Sequence, residues 1–171
     1  MHGEPKPESG ANAGGEVIFR PPVGAEADYR CVEAMSELRL WAREDGRGRT
    51  CGPSAQYFLP DGAALSPDAA WVSNERIAVP KRELREFPHL VPEFVIENMS
   101  PSDRLAASQE KMRLWIANGV DLGWLIDGDN RRVYVYRGTA EPRMVSDAES
   151  IAGEGPVEGF VLPLERIWAG L

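Results

Sequence analysis

The chain has 171 residues, a net charge of −8 and 43% hydrophobic residues, the size and composition of one globular domain. No apolar run approaches the ~18 residues of a membrane span. Residues 1–15 are polar and rich in Gly and Pro, unlike an export signal, and are expected to form a disordered tail before a single domain over 16–171. The acidic balance argues against a broad basic surface for non-specific nucleic-acid binding, but it allows a local basic cleft or an acidic metal site.

Cys31 and Cys51 are the only cysteines, too few for a disulfide framework. Without an export signal they are expected to be reduced, in a cytoplasmic protein. His2 and His89 are the only histidines, so a His/Cys zinc site lacks ligands. A hard cation held by carboxylates remains open.

In chain order, the spacing of Val32, Met35, Leu38 and Trp41 predicts a helix over 28–43, with Arg30, Glu33, Glu37 and Arg39 as its polar positions. Residues 56–59 read as a strand, and Pro60-Asp61-Gly62 as a turn. A second short strand is expected over 68–73, then a charged, proline-punctuated excursion over 74–92. Residues 93–99, Glu-Phe-Val-Ile-Glu-Asn-Met, have the β-branched and aromatic content of a central strand covered on both sides. A helix follows over 106–118, with Met112, Trp115 and Ile116 on one face and Gly119 as its stop. Strands over 122–126 and 132–137 are joined by a hairpin at Asp127-Gly128-Asp129-Asn130, and 160–168 is an apolar closing segment. A strand, helix and strand in succession allow a parallel crossover, and the hairpin adds an antiparallel edge. The expected class is α/β (α+β), a mixed sheet with helices packed on it.

Two acids stand in unusual places. Asp68 follows Pro67 and opens an apolar strand, and Glu97 interrupts the run Phe94-Val95-Ile96. A carboxylate in a buried strand is costly unless paired, hydrogen-bonded or metal-bound. Neighbouring strands would bring the two together, and convergent oxygens suit Mg²⁺. Lys111, in the next helix, could hold a nucleophilic water or steady charge on a phosphate. Each residue also has a structural reading. Asp68 could cap a turn, Glu97 could pair with an arginine, Lys111 could be solvated and Glu33 could form a surface salt bridge. Ser100 reads as a turn cap, because no histidine base is evident. Trp71, Trp115 and Trp124 fit the core periodicity.

Taken in order, Ser66-Pro67-Asp68, Phe94-Val95-Ile96-Glu97, Ser100-Pro101-Ser102-Asp103, Gln109-Glu110-Lys111-Met112, Gly123-Trp124-Leu125-Ile126-Asp127 and Arg132-Val133-Tyr134-Val135-Tyr136 resemble the PD-(D/E)xK nuclease superfamily. Within it the chain is similar to the Uma2 family, also called DUF820, over roughly residues 15–168. The resemblance implies a restriction-endonuclease-like sheet flanked by helices and a Mg²⁺- or Mn²⁺-dependent endonuclease acting on DNA. It implies Asp68 and Glu97 as metal ligands, Glu33 as an auxiliary acid, and a homodimer. The superfamily's usual lysine lies two residues after the acid, where this chain has Met99, so Lys111 becomes the substitute and Gln109 a further candidate. The alternative is a catalytically inactive nuclease fold kept as a binding or assembly module. For the dimer contact, residues 132–137 or 160–168 are expected.

Overall fold

A computed structural model of the chain describes residues 8–11, 17–20, 24–78 and 90–171. Four residues of the expected tail, Glu8–Ala11, form β1, which pairs antiparallel with β2, Val17–Arg20. The remainder of the tail, both histidines and residues 79–89 of the excursion lie outside the described residues.

Helix α1 spans Ala25–Asp45 and ends where Gly46 takes the left-handed conformation, φ 74°. Of the expected stripe, Leu38 is in the core and Met35 and Trp41 pack against it, but the buried face is centred elsewhere. Ala27, Arg30, Ala34, Leu38 and Ala42 are buried, whereas Val32 is 44% exposed and Leu40 57%. Spacings of four hold a helix face better than repeated spacings of three, which drift about 60° per step. Three alanines on that face let the helix lie close to the sheet. Arg30, expected among the polar positions, is instead buried, with ion pairs of 2.7 Å to both Glu26 and Asp129.

Strand β3, Gly48–Cys51, follows, then the two-residue strands β4, Tyr57–Phe58, and β5, Ala64–Leu65. The Pro60-Asp61-Gly62 turn closes the β4–β5 hairpin, with Gly62 at φ 90°. Strand β6, Ala69–Ser73, leads into α2, the single turn Asn74–Ile77 capped by Ser73. Strand β7, Phe94–Asn98, helix α3, Leu105–Ala117, and strand β8, Leu122–Asp127, form the expected crossover, with β7 and β8 parallel. Strand β9, Arg132–Tyr136, returns antiparallel to β8.

The main sheet has the order β10-β9-β8-β7-β6-β3, where β10 is Arg143–Ser146. Hence β9 is not the edge expected from its hairpin, because β10 covers its outer side. Strands β11, Ser150–Ala152, and β12, Val161–Pro163, form a further hairpin before α4, Glu165–Ala169.

Side chains of β7 alternate between two cores. Phe94 and Ile96 face the α1 side, with Ala34, Leu38, Trp124, Phe160, Leu162 and Ile167. Val95 faces the α3 side, with Met112, Trp115, Leu125 and Tyr134. Burying one such large apolar side chain contributes ~1.5–3 kcal/mol. Residues 160–168, proposed as a dimer contact, spend their large side chains on the first core. Trp71, Trp115 and Trp124 are all core residues, as their periodicity predicts.

Candidate active site

The candidate site lies where β6 begins and β7 ends. The two strands are antiparallel, with Ala69 opposite Ile96. One further step of that register would set Asp68, in the bend just before β6, opposite Glu97, and residues directly opposite in such a ladder project to the same face. That face belongs to α3, because Val95, two residues before Glu97, packs there. Glu97 thus lies on the face that α3 covers, and Asp68 sits in the bend just before β6.

Asp68 is half-buried, and its Oδ2 accepts the Asn98 N–H at 2.6 Å. This bond fastens the first acid to the end of the strand that carries the second. Glu97 is 6% exposed. Two side chains one turn apart on α3 reach its Oε1: the Lys111 ammonium at 2.6 Å and the indole N–H of Trp115 at 2.8 Å. Lys111 also donates to the Ser66 carbonyl at 3.1 Å, so the same ammonium ties Glu97 to the segment leading into Asp68. The lysine stem runs along the core while its head stays partly accessible, with the side chain 24% exposed.

A second tie holds α3 against that segment. Asn118, at the end of α3, donates to Asp61 Oδ2 at 3.0 Å and accepts the Asp61 N–H at 3.1 Å. The Asn118 hydrogen bond, aided by the Ala63 N–H, holds the Asp61 carboxyl below its usual range. Elsewhere in the α3-side core, burial raises the phenols of Tyr57 and Tyr136, the latter to about 12, so both stay protonated at neutral pH.

Over residues 5–165 the chain matches the model of the Uma2 family, described as "Putative restriction endonuclease". The chain belongs to the Uma2 family. The crystal structure of "a putative nuclease belonging to DUF820" from Anabaena variabilis ATCC 29413 is similar across 98% of this Uma2 chain and 93% of its own, at 20% identity and a TM-score of 0.79. This likeness shows a shared fold. The DrdV–DNA complex seen by cryoEM aligns over 65% of this chain and 9% of its own, at 16% identity and a TM-score of 0.39, an overlap too slight to bear on the site. No curated protein matches the Uma2 chain.

The Uma2 chain does not gather every residue the sequence suggested. Glu33 pairs with Arg166 of α4 at 3.8 Å, the structural role considered for it. Cys31, whose thiol lies 3.8 Å from the Asp68 carbonyl, is two residues away and so about 160° around α1 from Glu33. Gln109 is likewise two residues from Lys111, which turns it away from the Lys111–Trp115 side of α3. Met99 packs into the α3-side core, and Lys111 approaches Glu97 from the helix instead. Ser100 sits in a turn with Asp103, whose carboxylate accepts its N–H at 2.7 Å.

Residues the sequence reading missed lie around this framework. Glu93 is buried at the other end of β7, where it accepts from Ser73 and pairs with Arg76 at 3.1 Å. Its spacing of four from Glu97 places both acids on one face of the strand, a signal present in the sequence. Trp115 read only as core, and its N–H bond to Glu97 was not anticipated.

Among the described residues, no three His, Cys, Asp or Glu side chains gather as a metal cluster. The carboxylate pair fits a hard divalent cation that takes one or two protein carboxylates and otherwise keeps its waters. Among the described residues, no helix is long and apolar enough to cross a membrane.

Proposed function

We propose that this Uma2 chain is a Mg²⁺-dependent endonuclease that hydrolyses DNA phosphodiester bonds, with Asp68 and Glu97 as metal ligands and Lys111 as the catalytic cation. The supporting observation is the Lys111 ammonium against Glu97, with the Asp68 carboxylate bonded to the neighbouring Asn98 N–H. Membership in a family described as restriction endonucleases supports the nuclease class.

Mg²⁺ or Mn²⁺, when bound, would lower the pKa of a coordinated water and brace the scissile phosphate. Asp68 and Glu97 provide the oxygens that hold the cation and fix its position relative to the phosphate. Lys111 uses two of its three N–H groups on Glu97 Oε1 and the Ser66 carbonyl. The third is available to orient the attacking water or to steady negative charge on the phosphate. With a net charge of −8, the chain approaches DNA through local contacts rather than a broad basic face.

Cleaving both strands of a duplex calls for two such sites, which a homodimer supplies by symmetry. The open side of β10 is the dimer edge in this reading, since β9 is covered on both sides. Cys31 and Cys51 form no disulfide with each other, in keeping with the proposed cytoplasmic setting.

The second reading, an inactive nuclease fold acting as a binding module, draws on Met99 at the position where the superfamily usually has lysine. A substrate panel of duplex DNA, single-stranded DNA, branched junctions and RNA, with Mg²⁺ or Mn²⁺, separates the two. Cleavage by the wild type, absent in Glu97→Ala, supports the enzyme. Cation-independent binding with no cleavage of any substrate supports the module.

A further inference from the structure

The structure contains a built-in contrast among its tryptophans. The buried indole N–H groups of Trp71 and Trp124 have no hydrogen-bond partner among the described residues, so this core tolerates tryptophan as plain packing volume. Trp168 donates to a backbone carbonyl, that of Ala148, at 2.8 Å. Trp115 is fully buried, and its N–H meets a carboxylate, that of Glu97.

We infer that Trp115 is a positioning residue whose indole N–H, rather than its bulk, sets the orientation in which Glu97 faces Asp68 and the cation. The inference rests on the metal-site reading above and extends it to a residue outside the acid–acid–lysine set. Lys111 and Trp115 both bond Oε1, but they differ in rigidity. The lysine ends a flexible four-carbon stem, whereas the indole is locked by packing, including an edge contact with Tyr57 at 6.1 Å between ring centroids. A rigid donor keeps Oε1 in place when the lysine turns toward water or phosphate. Hydrogen bonds of this kind orient ligands and tune metal affinity.

The test follows the five tryptophan indole N–H signals by ¹⁵N-edited NMR during a Mg²⁺ titration, in the wild type, Glu97→Gln and Trp115→Phe. One signal should vanish in Trp115→Phe, be displaced in Glu97→Gln, and move on Mg²⁺ addition in the wild type. Calorimetry should show Mn²⁺ binding weakened about tenfold or more in Trp115→Phe, the usual cost of losing such a partner. Its kcat should fall while KM for DNA is retained.

If the cation raises the wild-type melting temperature but the Trp115 signal stays still and Trp115→Phe binds Mn²⁺ equally well, the inference is overturned and the metal site stands. If no indole signal moves and no thermal response occurs in the wild type, the metal site itself fails and the inference with it. Should Trp115→Phe not fold, the wild-type and Glu97→Gln spectra decide, because the same indole signal must respond to both Glu97 and Mg²⁺.

Discussion

The Lys111 ammonium lies 2.6 Å from Glu97 Oε1, joining a helix to a central strand residue that is almost wholly buried. A carboxylate there would be costly without its donors. Lys111→Met keeps the stem's apolar contacts but removes the charge, so the variant isolates the ammonium. It should destabilise the fold by ~1–3 kcal/mol, less than for a fully buried pair because the lysine head is partly solvated. Urea denaturation of Lys111→Met, Glu97→Gln and the double variant checks this. The double variant should be less destabilised than the sum of the singles.

Cation binding should stabilise the protein. In the proposed site a cation relieves repulsion between Asp68 and Glu97, and a ligand that binds only the native state raises its stability. Millimolar Mg²⁺ or Mn²⁺ should raise the wild-type Tm. The Asp68→Ala, Glu97→Ala double variant should show no such rise in differential scanning fluorimetry, and an equal rise in both would remove the site.

The strand that carries Glu97 was legible because Phe94-Val95-Ile96 is apolar throughout and β-branched in its middle, which is what burial on both faces requires. The α3 face was legible from Met112 and Trp115, and Gly119 marks the stop with φ 101°. The inward face of α1 was legible only in part, through Met35, Leu38 and Trp41, because the small alanines that permit the closest approach to the sheet carry little hydrophobic signal. Strands β3, β5, β10 and β11 were not anticipated either. They are two to four residues long and owe their state to pairing partners rather than to a pattern of their own. At the site, Asp68 and Glu97 stood out as charges placed against the local pattern, and Lys111 only through its place in the helix after Glu97. Trp115 was hidden because a hydrogen bond from a core indole leaves no trace in hydrophobic periodicity.

Acid should loosen the brace between Asp61 and Asn118. The Asn118 hydrogen bond lowers the folded-state pKa of Asp61 from its usual 3.8. A lowered pKa means that the contribution to stability is present above the unfolded value and is lost as pH falls through the folded value. The Tm gap between wild type and Asp61→Ala should therefore be open at neutral pH and narrow steadily below about pH 4. A gap that widens on acidification would contradict the assignment.

Gly128 should resist substitution. A Cβ there would stand 2.7 Å from the buried Arg30 guanidinium, which is tied by ion pairs to Glu26 and Asp129. Gly128→Ala should cost ~1–3 kcal/mol, the range for overpacking a close contact. Combining it with Arg30→Ala should recover part of that loss in chemical denaturation.

The proposed dimer is checked by light scattering at tens of micromolar, where twice the chain mass of 18.8 kDa is expected. A proline at Val145, on the open strand β10, should shift the population toward monomer. A monomer at every concentration would remove the dimer from the account.

The central claim is that Asp68, Glu97 and Lys111 act as one hydrolytic site. Single-turnover cleavage of a duplex in Mg²⁺, compared among wild type, Asp68→Asn, Glu97→Gln and Lys111→Met, tests it most directly. Each variant should lose at least about a hundredfold in rate while keeping its fold by circular dichroism, the scale of losing one charged group from such a site. Wild-type cleavage by Lys111→Met would take the lysine out of the site, and equal rates in all four proteins would show that the three residues are not where the reaction occurs.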